Sequence, residues 1–86
     1  MMKNIAENAP VAKLWFRTHE ESMIVVFEPL ADEFSIQPGS DIFLELPAAD
    51  VALLEIYVWK NGISVTLPSP GDNTVLDHAG NVIQRV

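Results

Sequence analysis

The sequence predicts an all-β domain: a small two-layer β-sandwich or Greek-key barrel of about seven or eight short strands, with no long helix. Three observations carry that expectation. Pro and Gly punctuate the chain roughly every 8–12 residues, the spacing of strands and turns. Between these breaks lie short runs that alternate apolar and polar side chains and are rich in β-branched and aromatic residues. Hydrophobic residues make up 49% of the chain, enough for a core, while 86 residues suffice for one domain and not two.

The expected organisation is a flexible N-terminal lead-in over residues 1–10 and a single β domain over residues 11–86. The first element is the ambiguous one. Val11, Leu14, Trp15 and Thr18 fit a helical period, whereas Ala12, Leu14 and Phe16 fit a strand. The strand is favoured, because Met23-Ile-Val-Val-Phe27 follows the polar stretch Thr18-His-Glu-Glu-Ser22. Two such runs around a short turn read as a hairpin. Met23–Phe27 is apolar on both faces, which suits a central strand or one covered by a partner. Pro29, which cannot donate to a ladder, ends it.

Phe34 and Ile36 then share one face, and Ile42, Leu44 and Leu46 form an inward set. Asp41, Phe43 and Glu45 point the other way. Between them, Gln37-Pro38-Gly39-Ser40 has Pro and Gly where a type II turn favours them. Type II turns splay paired strands, so this one reads as a corner between strands and not as a tight hairpin. Pro47 opens a short connection with room for a helical turn at most. In Leu54–Lys60 and the strand after it, Asn61-Gly62 reads as the centre of a type I′ turn. That turn pairs Trp59 with Ser64, Val58 with Val65 and Tyr57 with Thr66. One face then carries Ile56, Val58, Val65 and Leu67, and the other Glu55, Tyr57, Trp59, Ser64 and Thr66. A last short hairpin flanks His78-Ala79-Gly80, with Gly80 at the φ > 0 position.

Composition excludes several chemistries. Without cysteine there is no disulfide, thiol nucleophile or zinc–thiolate site. The net charge is −7, and the five Lys and Arg residues are scattered in sequence, so nucleic-acid binding is not expected. No run approaches the about 18 apolar residues of a membrane span, and residues 1–10 lack a signal-peptide pattern. Cytoplasmic residence without membrane association is the expectation. His19 and His78 have no histidine partner at ligand spacing, and His19 reads as a surface residue. The acidic groups Glu28/Asp32/Glu33 and Asp72/Asn73/Asp77 do not follow EF-hand spacing. No nucleophile elbow, phosphate loop or dinucleotide fingerprint occurs. Neither a catalytic residue nor a metal or cofactor is expected.

The candidate binding surface is Tyr57 and Trp59, together with Phe43, Ser64 and Thr66. Two apart on one strand, the Tyr57 and Trp59 rings lie roughly 7 Å apart. A second sheet or the N-terminal segment could cover them, or they could anchor a protein interface, where Tyr and Trp are enriched, or stack on a sugar or other small ligand. Glu28-Pro29 followed by Glu33-Phe34-Ser35-Ile36-Gln37-Pro38-Gly39 resembles a pattern of short, uncharacterised bacterial all-β proteins. There a strand ending in Glu-Pro leads to an acidic-aromatic step and a Pro-Gly turn. The resemblance spans roughly residues 12–67 and brings no catalytic residue; Leu30 stands where an aromatic often follows Glu-Pro. The functional expectation is a non-enzymatic β domain acting through protein contacts, as a homo-oligomer, an accessory domain or an inhibitor-like binder. The alternatives are a carbohydrate- or small-ligand-binding module and a metal-dependent enzyme.

Overall fold

The computed structural model describes residues 9–86. Apart from Ala9 and Pro10, the expected lead-in over residues 1–10 lies outside them. Among the described residues, eight strands form two four-stranded sheets, packed as a sandwich. The first sheet has the order β1 (Val11–Arg17), β4 (Asp41–Pro47), β7 (Thr74–Leu76), β8 (Val82–Arg85) and is antiparallel throughout. The second has the order β3 (Asp32–Ile36), β2 (Met23–Glu28), β6 (Gly62–Thr66), β5 (Glu55–Trp59). Within it, β2 and β6 run parallel. A 3-10 helix over Ala48–Leu53 links β4 to β5, and among the described residues no helix is long and apolar enough to cross a membrane.

The alternation read from sequence places the core. Ile42, Leu44 and Leu46 of β4 face Val25 and Phe27 of β2 and Val65 of β6, all buried. Each such side chain contributes about 1.5–3 kcal/mol relative to exposure. The aromatic rings Phe16, Phe27 and Phe34 pack edge to face, with centroids 5.9 and 5.7 Å apart. The corner at Gln37–Ser40 is as expected. Gly39 has φ +78, Ser40 N donates to Gln37 O at 2.9 Å, and the chain passes from β3 in one sheet to β4 in the other. Gly80, at φ +89, turns the last hairpin.

Two expectations are corrected. β1 and β2 do not form a hairpin; β1 pairs with β4, and β2 lies in the opposite sheet. The inward sets Ala12/Leu14/Phe16 and Met23/Val25/Phe27 face one core from either arrangement, so alternation alone does not separate them. Residues 18–22 form a second sheet-switching corner, tied to the first. Thr18 N donates to Ser40 O at 3.3 Å and Gly39 N to Thr18 O at 3.0 Å.

The β5–β6 turn is also displaced. Trp59 pairs with Gly62, Val58 with Ile63, Tyr57 with Ser64 and Ile56 with Val65, so Lys60-Asn61 are the central residues. Neither has positive φ, and nor does Gly62. The glycine serves a different need. A Cβ at Gly62 would collide with the backbone carbonyl of Ile24 on β2 and lie 2.8 Å from Cζ2 of Trp59. The shift moves each partner by two residues, so the division into faces survives.

Replacing Gly62 by Ala should therefore cost about 1–3 kcal/mol through overpacking against backbone that cannot yield. Asn61→Ala, at a negative-φ turn position, should cost much less. Urea denaturation checks this as a lower midpoint for Gly62→Ala at an unchanged slope.

Candidate functional site

The expected binding residues divide between the two outer faces. Tyr57 and Trp59 of β5 and Ser64 and Thr66 of β6 share the outer face of the second sheet, through the pairs Tyr57–Ser64 and Glu55–Thr66. Phe43 does not join them. It lies on the outer face of the first sheet, opposite Trp15. The reason is the sandwich itself: Leu44 and Leu46 point into the core, so Phe43 points away from the sheet that holds Tyr57.

Around Phe43 is a group that sequence reasoning did not assemble. The Trp15 and Phe43 rings stack with centroids 6.0 Å apart and planes 10° apart. The Arg17 guanidinium sits 5.0 Å from the Trp15 ring centre, and Lys13 Nζ lies 5.7 Å from that of Phe43. Asp41 is buried beside them. Trp15 Nε1 donates to its Oδ2 at 2.7 Å, and His78 Nδ1 lies 2.7 Å from its Oδ1. The Trp15 indole N–H and the His78 imidazole hold the Asp41 carboxyl below its usual range, against the opposing effect of burial. Both Asp41 oxygens are thus engaged, and the group fastens β1, β4 and the β7–β8 turn together. The signal for it was the Lys13/Trp15/Arg17 alternation. Its β4 partners were hidden by the expected β1–β2 hairpin.

The remaining candidates are accounted for by local structure. His19 is exposed in the turn after β1. Asp77 accepts from the backbone amides of Asn81 and Ala79 within the last turn, which lowers its carboxyl pKa. Asn73 is buried and donates to Ser69 O at 2.8 Å and Val86 O at 3.0 Å. Asp32 points inward and accepts from Gln84 of β8 at 3.0 Å, tying the two sheets. Among the described residues, no group of three or more His, Asp or Glu is arranged to hold a metal ion.

β5 is different in kind. All five of its residues are exposed, and four are large and apolar: Ile56 at 52%, Tyr57 at 61%, Val58 at 77% and Trp59 at 44%. Tyr57 and Trp59 face outward. Ile56 and Val58 face the core side, where the first sheet does not cover them. The backbone edge is open as well. Ile24 N donates to Asn61 O and Leu67 N to Glu28 O, so the odd-numbered residues of β6 bond to β2. Gly62, Ser64 and Thr66 therefore bond to Trp59, Tyr57 and Glu55 of β5. That leaves the N–H and C=O groups of Ile56 and Val58 directed away from the sheet.

Clefts do little to favour a small ligand. One of about 320 Å³ lies between Pro10, Pro47, Asp72 and Arg85. Another of about 220 Å³, at the β5–β6 turn, is lined by Met23, Val58, Trp59 and Ile63 but not by Tyr57. Neither of these clefts is lined by both rings. Comparison with known proteins finds no matching family, no similar curated protein and no similar solved structure.

The Asp41 group makes stability depend on pH with a definite sign. A carboxyl whose folded pKa lies below its unfolded value, about 3.9, contributes stability that is fully present above that value and is lost as pH falls through the folded pKa. Unfolding by urea from pH 6 down to pH 2.5 should show a fall beginning below pH of about 4. Asp41→Asn should weaken that fall, leaving the part due to Asp77. An identical profile in the variant would contradict the assignment.

Proposed function

We propose that this protein is a small non-enzymatic β domain that acts through protein–protein contacts, and that β5 makes them. The observation that carries the reading is a five-residue edge strand, exposed on both faces, apolar on both faces, and open along its backbone. An edge of this kind recruits another strand, which adds main-chain hydrogen bonds and covers alternate side chains. Tyr57 and Trp59 bring the residue types that dominate interface energetics, close beside that edge.

The other three edges support the choice of β5. β1 carries Lys13 and Arg17. β3 has the inward-pointing Asp32 and the acidic Glu33. β8 is short and irregular, with a register shift at Val75/Leu76. Charge, inward acids and bulges are the devices that keep an edge from pairing. β5 has no proline, bulge or inward charge, and its single acid, Glu55, stands at its first position.

A photo-activatable residue at position 57 tests the reading in cells. Irradiation should give a discrete protein adduct, and Val58→Lys in the same chain should abolish it. Because Val58 is exposed, that substitution should change stability by no more than about 0.5 kcal/mol. Absence of any protein adduct from the wild-type edge, or an adduct indifferent to Val58→Lys, would refute the proposal.

A further inference from the structure

We infer that the strand which completes β5 is the β5 of a second copy of this chain, paired antiparallel about Tyr57. This rests on the reading of β5 as a contact edge and adds the partner and its register. Three constraints select the arrangement. The first is symmetry. Two identical strands paired about a two-fold axis normal to the sheet keep their outer faces on the same side, so residue i must oppose one of the same parity. The second is bonding. Only Ile56 and Val58 direct their N–H and C=O groups to the open edge, so each must occupy a hydrogen-bonded pair.

The third constraint is the extent of the strand. Centring the axis on Val58 would pair Ile56 with Lys60, which belongs to the turn. Centring it on Ile56 would pair Val58 with Leu54, whose N–H already donates to Val51 O at 3.4 Å. Centring it on Tyr57 pairs Ile56 with the second copy's Val58, and Val58 with the second copy's Ile56. Every bonding residue then lies within β5. The two four-stranded sheets become one continuous sheet of eight strands.

Side-chain chemistry fits the same register. On the core side, Ile56 and Val58 of both copies meet as one apolar group, covering the side chains that the first sheet leaves exposed. On the outer face, Tyr57 meets Tyr57, and the Trp59 N–H donor lies opposite the second copy's Glu55 carboxylate. No like charges oppose each other, and the Glu55 end of one strand lies beside the Lys60 end of the other.

The chain has no cysteine, so single substitutions map the interface directly. In a non-hydrogen-bonded antiparallel pair the Cα atoms lie about 4.5 Å apart and in a hydrogen-bonded pair about 5.5 Å, both within disulfide reach. Mild oxidation should convert Tyr57→Cys to a covalent dimer. Ile56→Cys and Val58→Cys should each give no disulfide-linked dimer alone and cross-link when mixed. Wild type should sediment as a dimer, and Val58→Lys as a folded monomer whose melting temperature matches the value wild type approaches on dilution. Faster cross-linking of Val58→Cys or Ile56→Cys alone would overturn the register. A monomeric wild type with no cross-link at any of the three positions would overturn self-pairing. If the photo-adduct at position 57 in cells then proved heteromeric, the contact edge would stand and its partner would be a different protein.

Discussion

Parallel pairing of β2 with β6 is the constraint from which the rest of this architecture follows. Parallel neighbours cannot be joined by a tight turn, so the chain between them must leave the sheet and return. It does so in an ordered way. β3 closes on one side of β2, the Pro38-Gly39 corner carries the chain to the first sheet for β4, and the 3-10 helix brings it back for β5. β6 then takes the second side of β2, at the close approach that Gly62 permits. With both sides of β2 occupied, β5 can extend only outward from β6. Its open edge is a consequence of topology.

The polar fastenings are distributed to match. Asp41 holds β1, β4 and the last turn; Gln84 and Asp32 tie β8 to β3; Asn73 anchors Val86; Asp77 shapes the β7–β8 turn. Among the described residues, none of these side-chain bonds involves β5. One region of the sandwich is therefore braced by charge-assisted and buried hydrogen bonds, while β5 is held by its ladder to β6 and by little packing. Segments with few buried contacts are the low-stability end of a domain and the usual source of binding elements. A strand that gains partners on association is best left without competing attachments in the monomer.

Much of this was legible in the chain, and the limits have physical causes. Strand positions, their faces, the type II corner and the Gly80 turn follow from local rules of period and φ. Strand partners do not, because Phe16 and Phe27 alternate identically whether their strands are neighbours in one sheet or face each other across the core. Asn61-Gly62 misled for a related reason. The dipeptide has the turn's favoured φ preferences, but Gly62 is required by its neighbour on β2, and that neighbour is set by topology. The division of Tyr57 and Trp59 from Ile56 and Val58 survived, since a two-residue shift preserves parity. What periodicity could not give was cover: Val58 and Val65 occupy equivalent positions in the pattern, yet one is exposed and the other fully buried. Phe43 was grouped with Tyr57 for want of the same information.

The acidity of the chain acquires a different meaning in this light. At −7, two copies repel, but at physiological ionic strength that repulsion is screened beyond about 8 Å. Association is then decided at short range, by what each surface presents on contact. On the second sheet, Glu33 and Glu28 stand on the outer faces of β3 and β2, so face-to-face contact there sets acid against acid. At the other edges, β1 carries Lys13 and Arg17 and β3 carries Asp32 and Glu33. β5 combines unpaired backbone groups with apolar side chains on both faces and a near-neutral strand, one acid at its start and one base just beyond its end, whereas β8 is shorter and bulged. Local charge, more than net charge, therefore separates the surfaces: acids stand on the outer faces of β2 and β3, and β5 carries its one acid at its first position.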